Sequence, residues 1–433
     1  MDIKKIYKLW NECDRRHSTD SRKIAVGGFF FALKGANFNG NEFAAEALSK
    51  GASYCVVDEE KYVLNERTIL VKDVLTALQQ LATHHRLQFI NTKFIALTGS
   101  NGKTTTKELI RCILSQQYRV LATQGNLNNH IGVPLTLLDV NEQHEFAIIE
   151  MGANHQKEIE QLCEIALPDF GLVTNVGKAH LEGFGGFEGV IKGKGEMYDF
   201  LKKHQRQIFI NSDNAQLTER CGEYDKLITY GISDNNFCRG SYELNGDKII
   251  VKWNAEGNAG NAQSNLAGAY NFENLLCAVC IGCYFRVSAA NIRHGIESYF
   301  PENKRSQMLV KNNTTFILDY YNANPTSMEA AIKNLKENFS GRKMAILGEM
   351  LELGNHAEKE HAFISSLLKT SAIEAVLIGE NFKGLEKKLN GHHFQTSAEA
   401  AAYLNTVSLE GYTVLIKGSR GSKMEAVADR LLN

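Results

Sequence analysis

The sequence predicts an α/β protein of three α/β domains, with a mostly parallel central sheet and a Rossmann-like C-terminal domain. Short apolar runs typical of buried strands, such as KFIALT at 93–98 and TVLIKG at 413–418, alternate with helical patterns. Strands that alternate with helices favour a parallel sheet covered by helices. Glycines end three of the C-terminal strands, at Gly348, Gly379 and Gly418, and an open α/β sheet presents its binding crevice at that edge.

The chain is long enough for several domains, and shifts in pattern place their boundaries. With 433 residues and about 100–200 residues per domain, two to four domains are expected. A strand at 27–33, a helix and a second strand form a small α/β unit, which predicts an N-terminal domain at 1–90. The alternation then predicts a central domain at 91–300 and, where it restarts, a C-terminal domain at 301–433. Within the central domain, the polar cluster NAEGNAGNAQSN at 254–265 predicts a loop.

Composition and charge exclude several classes of protein. Hydrophobic residues make up 43% of the chain, which is ample for real cores and excludes a disordered or fibrous protein. Lys and Arg (48) nearly cancel Asp and Glu (49), so the basic face of a nucleic-acid-binding protein is not expected. No apolar run approaches the ~20 residues that span a bilayer, and the N-terminus lacks the apolar core of a signal peptide. We therefore expect a cytoplasmic protein without membrane insertion.

The nine cysteines show no spacing typical of a disulfide framework, which fits a reducing compartment. Cys277, Cys280 and Cys283 share a spacing that also occurs in iron–sulfur and zinc sites. They lie in an apolar, helical run, NLLCAVCIGCYF, without a nearby histidine. Because free cysteine packs as a small hydrophobic residue, we predict that they are buried structural side chains.

The strongest local motif is TGSNGKTTT at 98–106, which follows an apolar strand and opens a helix. We call these residues the phosphate loop. Gly99 and Gly102 allow the backbone to wrap closely around phosphate oxygens, and the helix N-terminus supplies free N–H groups. Lys103 can neutralise the β- and γ-phosphates, and the Thr104 hydroxyl can bind Mg²⁺. The loop is shorter than the standard G-x-x-x-x-G-K-[ST] pattern, which would place the first glycine two positions earlier.

Four residues outside the phosphate loop are candidates for metal or acid–base chemistry, although each is also compatible with a simpler role. Glu150 ends an apolar strand, where a carboxylate can reach Mg²⁺ held by a neighbouring loop. His180 follows the strand at 170–176, and a lone histidine is more often structural than a ligand. Lys192 and Lys194 lie in a glycine-rich KGKGE block that could also be a solvated loop.

Taken together, the motifs resemble the Mur ligases, the ATP-dependent amide-bond ligases of peptidoglycan precursor synthesis. The resemblance covers nearly the whole chain, in the family's order. The blocks that carry it are TDSRK with GGFFFALKG (19–35), TGSNGKTT (98–105), GNLNNHIGVPLTLL (125–138), EMGANHQKEI (150–159), NVGKAHLEGFGGFEGV (175–190), KGKGE (192–196), AYNFEN (269–274), ENKRSQ (302–307), DYYNANPTSM (319–328), GEMLELG (348–354) and IKGSRGSKME (416–425).

Within the family, the YNANP and GEMLELG blocks imply the activity that joins D-alanyl-D-alanine to UDP-N-acetylmuramoyl-tripeptide through an acyl phosphate. ATP and Mg²⁺ are the implied cofactors, and a monomer is expected. The chain departs from the family pattern at a few places, which concern fine substrate contacts rather than the reaction. These are Asn39-Gly40-Asn41 for Asp-Gly-His, Lys157 for a glycine, Tyr320 for a small residue and Glu349 for an aspartate.

The resemblance also implies roles for individual residues. ATP would be bound by Gly99, Ser100, Asn101, Gly102, Lys103, Thr104, Thr105, Asn271, Arg305, Asp319 and Asn322, and the UDP-substrate by Ser21, Arg22, Asn126 and Asn129. The metal ligands would be Thr104 and Glu150 for one Mg²⁺, and His180 and carbamylated Lys194 for a second. The catalytic residues would be Lys103, His180 and Lys194. Lys192 is the rival of Lys194, which is preferred as the lysine of the Lys-Gly-Glu block.

Two other functions share the phosphate loop. A folylpolyglutamate synthetase is a related ligase, but the N-terminal block and YNANP argue against it. A P-loop switch or motor protein would hydrolyse nucleotide to change the state of a partner, and the ligase blocks outside the loop argue against that class.

Overall fold

Short strands form the sheets of the molecule, which a computed structural model describes over residues 2–245, 248–301 and 304–432. In these residues the strands are β1 His17–Ser18, β2 Phe29–Phe31, β3 Lys34–Gly35, β4 Phe38–Asn39, β5 Tyr54–Val57, β6 Thr68–Leu70, β7 Lys93–Thr98, β8 Val120–Ala122, β9 Phe146–Glu150, β10 Phe170–Val173, β11 Gln207–Asn211, β12 Leu227–Gly231, β13 Cys238–Asn245, β14 Lys248–Ala255, β15 Asn258–Ala267, β16 Gln307–Lys311, β17 Thr314–Asp319, β18 Arg342–Gly348, β19 Glu374–Ile378, β20 Gly391–Phe394 and β21 Tyr412–Lys417. Each strand predicted from an apolar run is present.

Helices connect most of these strands. They are α1 Ile3–Glu12, α2 Ala44–Ser49, α3 Val74–Arg86, α4 Lys103–Leu114, α5 Gly132–Leu138, α6 Glu158–Ala166, α7 Leu181–Phe184, α8 Phe187–Lys203, α9 Ala215–Cys221, α10 Phe272–Tyr284, α11 Ala289–Glu297, α12 Pro325–Asn338, α13 Ala357–Ser371, α14 Ser397–Leu404 and α15 Glu425–Leu432. No helix in the described ranges combines the length and apolar character needed to cross a bilayer.

The chain forms two compact units, each with its own α/β structure. The first comprises Met1–Ala96, Arg119–Met151 and Glu160–Asp169, and the second comprises Leu97–Tyr118, Gly152–Ile159 and Phe170–Asn433. The first unit contains a parallel four-stranded sheet in the order β1-β2-β5-β6. Side chains of β2, α2 and β5 pack into a small apolar cluster on this sheet.

The strands of the central part of the chain are mostly parallel. In the first unit the order is β7-β9-β8, and β8 and β9 are parallel. In the second unit the order is β15-β14-β13-β12-β11-β10. Strands β10 to β13 pair in parallel, whereas β13, β14 and β15 pair antiparallel.

The prediction of a loop at 254–265 is wrong, because these residues belong to the antiparallel pair β14 and β15. The turn between them consists of Glu256 and Gly257, which have φ values of 45° and 85°. Two successive positive φ values are typical of a tight hairpin turn. Ala262, Ser264 and Leu266 are buried, so β15 has a buried face even though the segment is polar in composition.

The C-terminal sheet has the order β16-β17-β21-β18-β19-β20, and every pairing except β16 with β17 is parallel. Helices cover both of its faces, since the successive residues Phe316 and Ile317 on β17 point into different apolar clusters. This architecture confirms the predicted Rossmann-like domain.

The three cysteines of the apolar run lie on α10. Cys277, Cys280 and Cys283 are 1%, 0% and 8% exposed, and all three are free thiols. Their prediction as buried side chains is confirmed.

Candidate functional site

The phosphate loop requires glycine at two positions. Gly99 has a φ of 145°, and Gly102 has a φ of 77° and caps α4, which begins at Lys103. A Cβ atom at Gly99 would lie 2.0 Å from Thr174 Oγ1, and one at Gly102 would lie 2.4 Å from Asn274 Oδ1. Both the backbone angles and the close neighbours therefore exclude a side chain.

A second loop, residues 174–177 after β10, supports the phosphate loop. The backbone N–H of Ser100 donates to Asn175 O (2.9 Å), and that of Asn101 donates to Asn175 Oδ1 (2.9 Å). The Ser100 hydroxyl donates to Gly177 O (3.1 Å) and accepts from Gly177 N (2.9 Å). Sequence reasoning missed Asn175; its position directly after a buried strand of the same parallel sheet is the signal that could have identified it.

Lys103 is held at the N-terminus of α4. Its ammonium group donates to the carbonyl oxygens of Gly99 (2.7 Å) and Ser100 (3.3 Å). Thr104 and Thr105 follow in the first helical turn. A cation, hydroxyl groups and a helix N-terminus are thus brought together, an arrangement suited to the phosphates of a nucleotide.

The structure places Asn271 beneath the phosphate loop. Asn271 is 3% exposed, and its amide group donates to Ala267 O (2.7 Å) and accepts from Asn274 Nδ2 (2.9 Å). Asn274 Oδ1 in turn accepts from the Thr106 hydroxyl (3.0 Å). This chain of hydrogen bonds supports the start of α4.

In the first unit, Glu150 lies at the end of β9 and is 1% exposed. Its Oε1 accepts a hydrogen bond from Asn128 Nδ2 (2.9 Å), a contact that sequence reasoning missed. Asn126 and Asn129, the predicted residues of the same segment, are exposed. The Asn129 side chain accepts from the N–H groups of residues 131 and 132, which begin the turn into α5.

Lys194 and Lys192 differ sharply in burial. Lys194, on α8, is 1% exposed, whereas Lys192 is exposed. The Lys194 ammonium group donates to Ala153 O (2.9 Å) and lies 5.0 Å from the centre of the Phe184 ring. Of the two lysines, Lys194 is therefore the one held in a dry environment.

Burial lowers the pKa of Lys194 well below its ordinary value, because a charged ammonium group is poorly solvated there. The positive charge of Lys103 lowers this pKa further, while the carboxylates of Glu158 and Glu196 act in the opposite direction. The neutral amine is the form that reacts with CO₂ to give a carbamate.

His180 lies at the start of α7 with a φ of 53°. Its Nδ1 atom is 2.5 Å from Glu352 Oε2, and this contact holds the pKa of Glu352 below its usual value. Glu352 belongs to the GEMLELG block, so two blocks from distant parts of the chain meet at this histidine. Sequence reasoning did not connect them.

Asp319 connects two strands of the C-terminal sheet. Its Oδ2 atom lies 2.5 Å from Lys417 Nζ, and its Oδ1 accepts from the backbone N–H of Ser306 (3.1 Å). The neighbouring Arg305 stacks on Tyr321, with its guanidinium carbon 3.8 Å from the ring centre. A stacked arginine keeps its N–H donors at the edge, where they can bind an anion.

The YNANP block forms the beginning of α12. The Asn324 side chain accepts from Ser327 N, the Ser327 hydroxyl accepts from Asn324 N, and Pro325 occupies the first turn. Asn324 also donates to Asn101 Oδ1 in the phosphate loop (2.8 Å). Asn322 is exposed.

The predicted residues of the N-terminal block lie at the surface. The Arg22 side chain is 83% exposed and donates through Nε (2.9 Å) and Nη2 (2.8 Å) to the carboxylate of Asp20. These hydrogen bonds lower the pKa of Asp20 to about 2. Ser21 is partly exposed, and its carbonyl accepts from Lys50 (3.2 Å).

Three models of protein families match the chain in succession. They describe a Mur ligase family catalytic domain at residues 17–86, a Mur ligase middle domain at 97–282 and a Mur ligase glutamate ligase domain at 304–420. A relative from Bacillus subtilis, UDP-N-acetylmuramoyl-tripeptide–D-alanyl-D-alanine ligase, is 34% identical over 96% of this chain and 92% of its own length. The chain belongs to the Mur ligase family. The predicted family is thereby confirmed, and with it the enzyme class, an ATP-dependent ligase.

Other Mur ligases match this chain over a similar share of its length. The Escherichia coli enzyme with the same name is 32% identical over 96% of this chain and 93% of its own length. A crystal structure of MurF from Acinetobacter baumannii superposes with a TM-score of 0.88 at 32% identity, covering 96% and 93% of the two chains. MurF ligase from Thermotoga maritima in complex with ADP has a TM-score of 0.84 at 26% identity, covering 96% and 97%. These matches confirm the predicted three-domain α/β fold.

One departure from the family pattern gives a prediction about stability. Lys157 has a φ of 72°, which is unfavourable for a residue with a Cβ atom. We expect Lys157→Gly to raise the free energy of unfolding by about 1 kcal/mol or less, because glycine adopts this angle freely but gains entropy in the unfolded chain. The backbone hydrogen bond from Lys157 N to Glu196 (2.6 Å) is available to either residue. Urea unfolding measures the change, and Lys157→Ala, which keeps the Cβ atom, is the control. A lower midpoint for the glycine variant would contradict the argument.

Proposed function

We propose that this Mur ligase joins D-alanyl-D-alanine to UDP-N-acetylmuramoyl-tripeptide at the expense of ATP, in peptidoglycan precursor biosynthesis. The observation that carries the proposal is the match, over nearly the full length of both chains, to several relatives that bear this name. The phosphate loop around Lys103 supports the use of a nucleotide, as does the similarity to a MurF structure with ADP.

The chemistry follows from the poor reactivity of a carboxylate toward an amine. Transfer of the γ-phosphoryl group of ATP to the tripeptide carboxylate would give an acyl phosphate and ADP. The amine of D-alanyl-D-alanine would then attack the acyl carbon, and the tetrahedral intermediate would expel phosphate. Phosphoryl transfer depends mainly on positioning and charge neutralisation. Lys103 would supply a positive charge, and Arg305 would hold a phosphate.

The residues proposed to bind Mg²⁺ have suitable chemistry. Thr104 and the buried Glu150 offer the oxygen ligands that this ion prefers. For a second ion, His180 offers nitrogen, and Lys194 would offer oxygen once it is carbamylated; its burial and its low pKa favour the neutral amine that this requires. Bound Mg²⁺ would neutralise phosphate charge.

The remaining assignments are proposals of the same kind. Asn271, Asp319 and Asn322 would lie near the adenine or ribose. Asn271 and Asp319 would also hold neighbouring residues in place through the hydrogen bonds described above. The UDP-substrate would be bound by Ser21, Arg22, Asn126 and Asn129. We also propose that the enzyme is a cytoplasmic monomer, with domains at 1–90, 91–300 and 301–433.

An acceptor assay tests this function. We expect sustained ADP and phosphate release to require both UDP-N-acetylmuramoyl-tripeptide and D-alanyl-D-alanine, because the acyl phosphate forms on the tripeptide and turns over when the amine attacks it. Release would be followed with each acceptor pair in turn, and folate with glutamate would serve as the control pair. Equal ADP release without D-alanyl-D-alanine, or with the control pair, would refute the proposal.

A further inference from the structure

In the second unit, the segment around the phosphate loop contacts the C-terminal part of the chain through Glu352, which meets His180 and the backbone N–H of Glu182. Among the described residues, three further polar contacts join this segment to the helices of the C-terminal sheet. Asn324 donates to Asn101 Oδ1 (2.8 Å), and the backbone N–H of Lys178 donates to the Thr326 hydroxyl (3.0 Å). The third contact is an ion pair, with Lys178 Nζ 2.7 Å from Glu360 Oε1. Two of the three contacts involve Lys178, to which the known blocks assign no function.

The environment of Glu360 makes this ion pair more than a surface contact. The Glu360 side chain is 4% exposed, whereas that of Lys178 is 44% exposed. Glu360 Oε2 is buried and has no hydrogen-bond partner among the residues that the structure describes. A buried carboxylate with one open oxygen depends strongly on its remaining partner, because an uncompensated buried charge is costly.

Lys178 is also linked to the phosphate loop through its neighbour Gly177. It follows Gly177 directly, and Gly177 exchanges two hydrogen bonds with the side chain of Ser100. Helix α12 lies close to Gly177, since a Cβ atom at Gly177 would be 2.9 Å from Thr326 Oγ1. A shift of Lys178 would therefore be transmitted to the backbone that surrounds the phosphates.

We propose that Lys178 and Glu360 form a positioning pair that sets the C-terminal helices in register against the phosphate loop. The pair would not contact the reactants itself. It would act by aligning Asp319, Asn322 and Arg305, which lie on the C-terminal side, with Lys103 on the phosphate loop. Apolar packing of Leu181 and Phe184 against the C-terminal core adds attraction, but non-directional packing does not set register, whereas a charged pair does. The inference rests on the proposed function, since it concerns the same reaction.

Two single variants and their combination test the pair. Lys178→Met leaves Glu360 buried without its cation, so we expect kcat/KM for D-alanyl-D-alanine to fall about tenfold, the effect of leaving a charged group unsatisfied. Glu360→Gln removes the charge that needs a partner and should have a smaller effect. The double variant Lys178→Met with Glu360→Gln should recover to the level of Glu360→Gln alone, which a simple sum of losses does not predict.

A second measurement separates positioning from a loss of fold. The ratio of phosphate released to peptide bond formed should rise in Lys178→Met, because a misplaced C-terminal side lets water compete for the acyl phosphate. In the double variant this ratio should return to the value of Glu360→Gln alone. Thermal unfolding of every variant reports on stability independently. Glu358→Gln is the matched control, since Glu358 lies on the same helix as Glu360 and is exposed. Its phosphate released per peptide bond and its kcat/KM should equal those of the parent enzyme.

The outcomes are distinct. If the double variant is as impaired as Lys178→Met, Lys178 acts on the nucleotide or substrate and the pair is refuted. If Lys178→Met behaves like Glu358→Gln, the contact has no effect on catalysis and the inference fails. Absence of ligation by the unmodified enzyme would instead refute the proposed function, so the two failures can be told apart.

Discussion

Lys103→Ala is expected to lower the turnover number by about 100-fold or more, the loss typical of deleting one electrostatic stabiliser. The reason is that the positive charge at the start of α4 would interact more strongly with the phosphates as the γ-phosphoryl group is transferred. ADP release at saturating concentrations of all three substrates measures the turnover number.

The loss should be specific to the charge at this position. Lys103 donates to two carbonyl groups of its own loop, so thermal unfolding is needed to show that the variant still folds. Calorimetry with ADP separately measures the loss of nucleotide affinity. Lys369→Ala, which removes an exposed lysine on α13, is the control and should retain the parent rate. A turnover number for Lys103→Ala within about threefold of the parent would exclude the assigned role.

Lys194→Ala is expected to abolish most acyl-phosphate formation, whereas Lys192→Ala should have little effect. The two lysines are two positions apart, but only Lys194 is buried, and burial lowers the pKa of Lys194 well below its ordinary value. A lysine with the usual pKa of ~10.4 is almost fully protonated at neutral pH and reacts poorly with CO₂. Short carboxylic acids should restore part of the activity of Lys194→Ala, because they can offer an oxygen ligand in the vacated space.

A measurement without turnover complements this comparison. NMR with isotope-labelled bicarbonate should show a carbamate signal in the parent and in Lys192→Ala, and none in Lys194→Ala. Thermal unfolding of both variants controls for the cavity left by a buried side chain. If Lys192→Ala is the inactive, acid-rescued variant, the assignment is wrong by two residues; if neither is impaired, the second metal site is not built from these lysines.

Much of the fold and part of the candidate site could be predicted because the signals are local. An apolar run such as residues 93–98 predicts a buried strand through its own side chains. In the phosphate loop, glycines at two positions with special backbone angles and a lysine at the helix start lie within five residues. Where composition contradicted structure, as in the polar hairpin of β14 and β15, pairing between strands determined the outcome.

The remaining contacts depend on partners that are distant along the chain. Asn175 meets Asn101 across 74 residues, Glu360 meets Lys178 across 182, and Asn324 meets Asn101 across 223. A local pattern carries no information about such pairs, because only the packing of strands and helices brings them within hydrogen-bond distance.

The sequence by itself therefore determined the α/β class, the buried strands, the phosphate loop and the resemblance to the Mur ligases. Only the tertiary structure decided that Lys194 is buried while Lys192 is exposed, that Glu352 contacts His180, and that Asn271 lies beneath the loop. The physical reason is that burial and hydrogen bonding depend on every element that packs around a side chain, whereas strand and turn preferences depend mainly on the residue and its immediate neighbours.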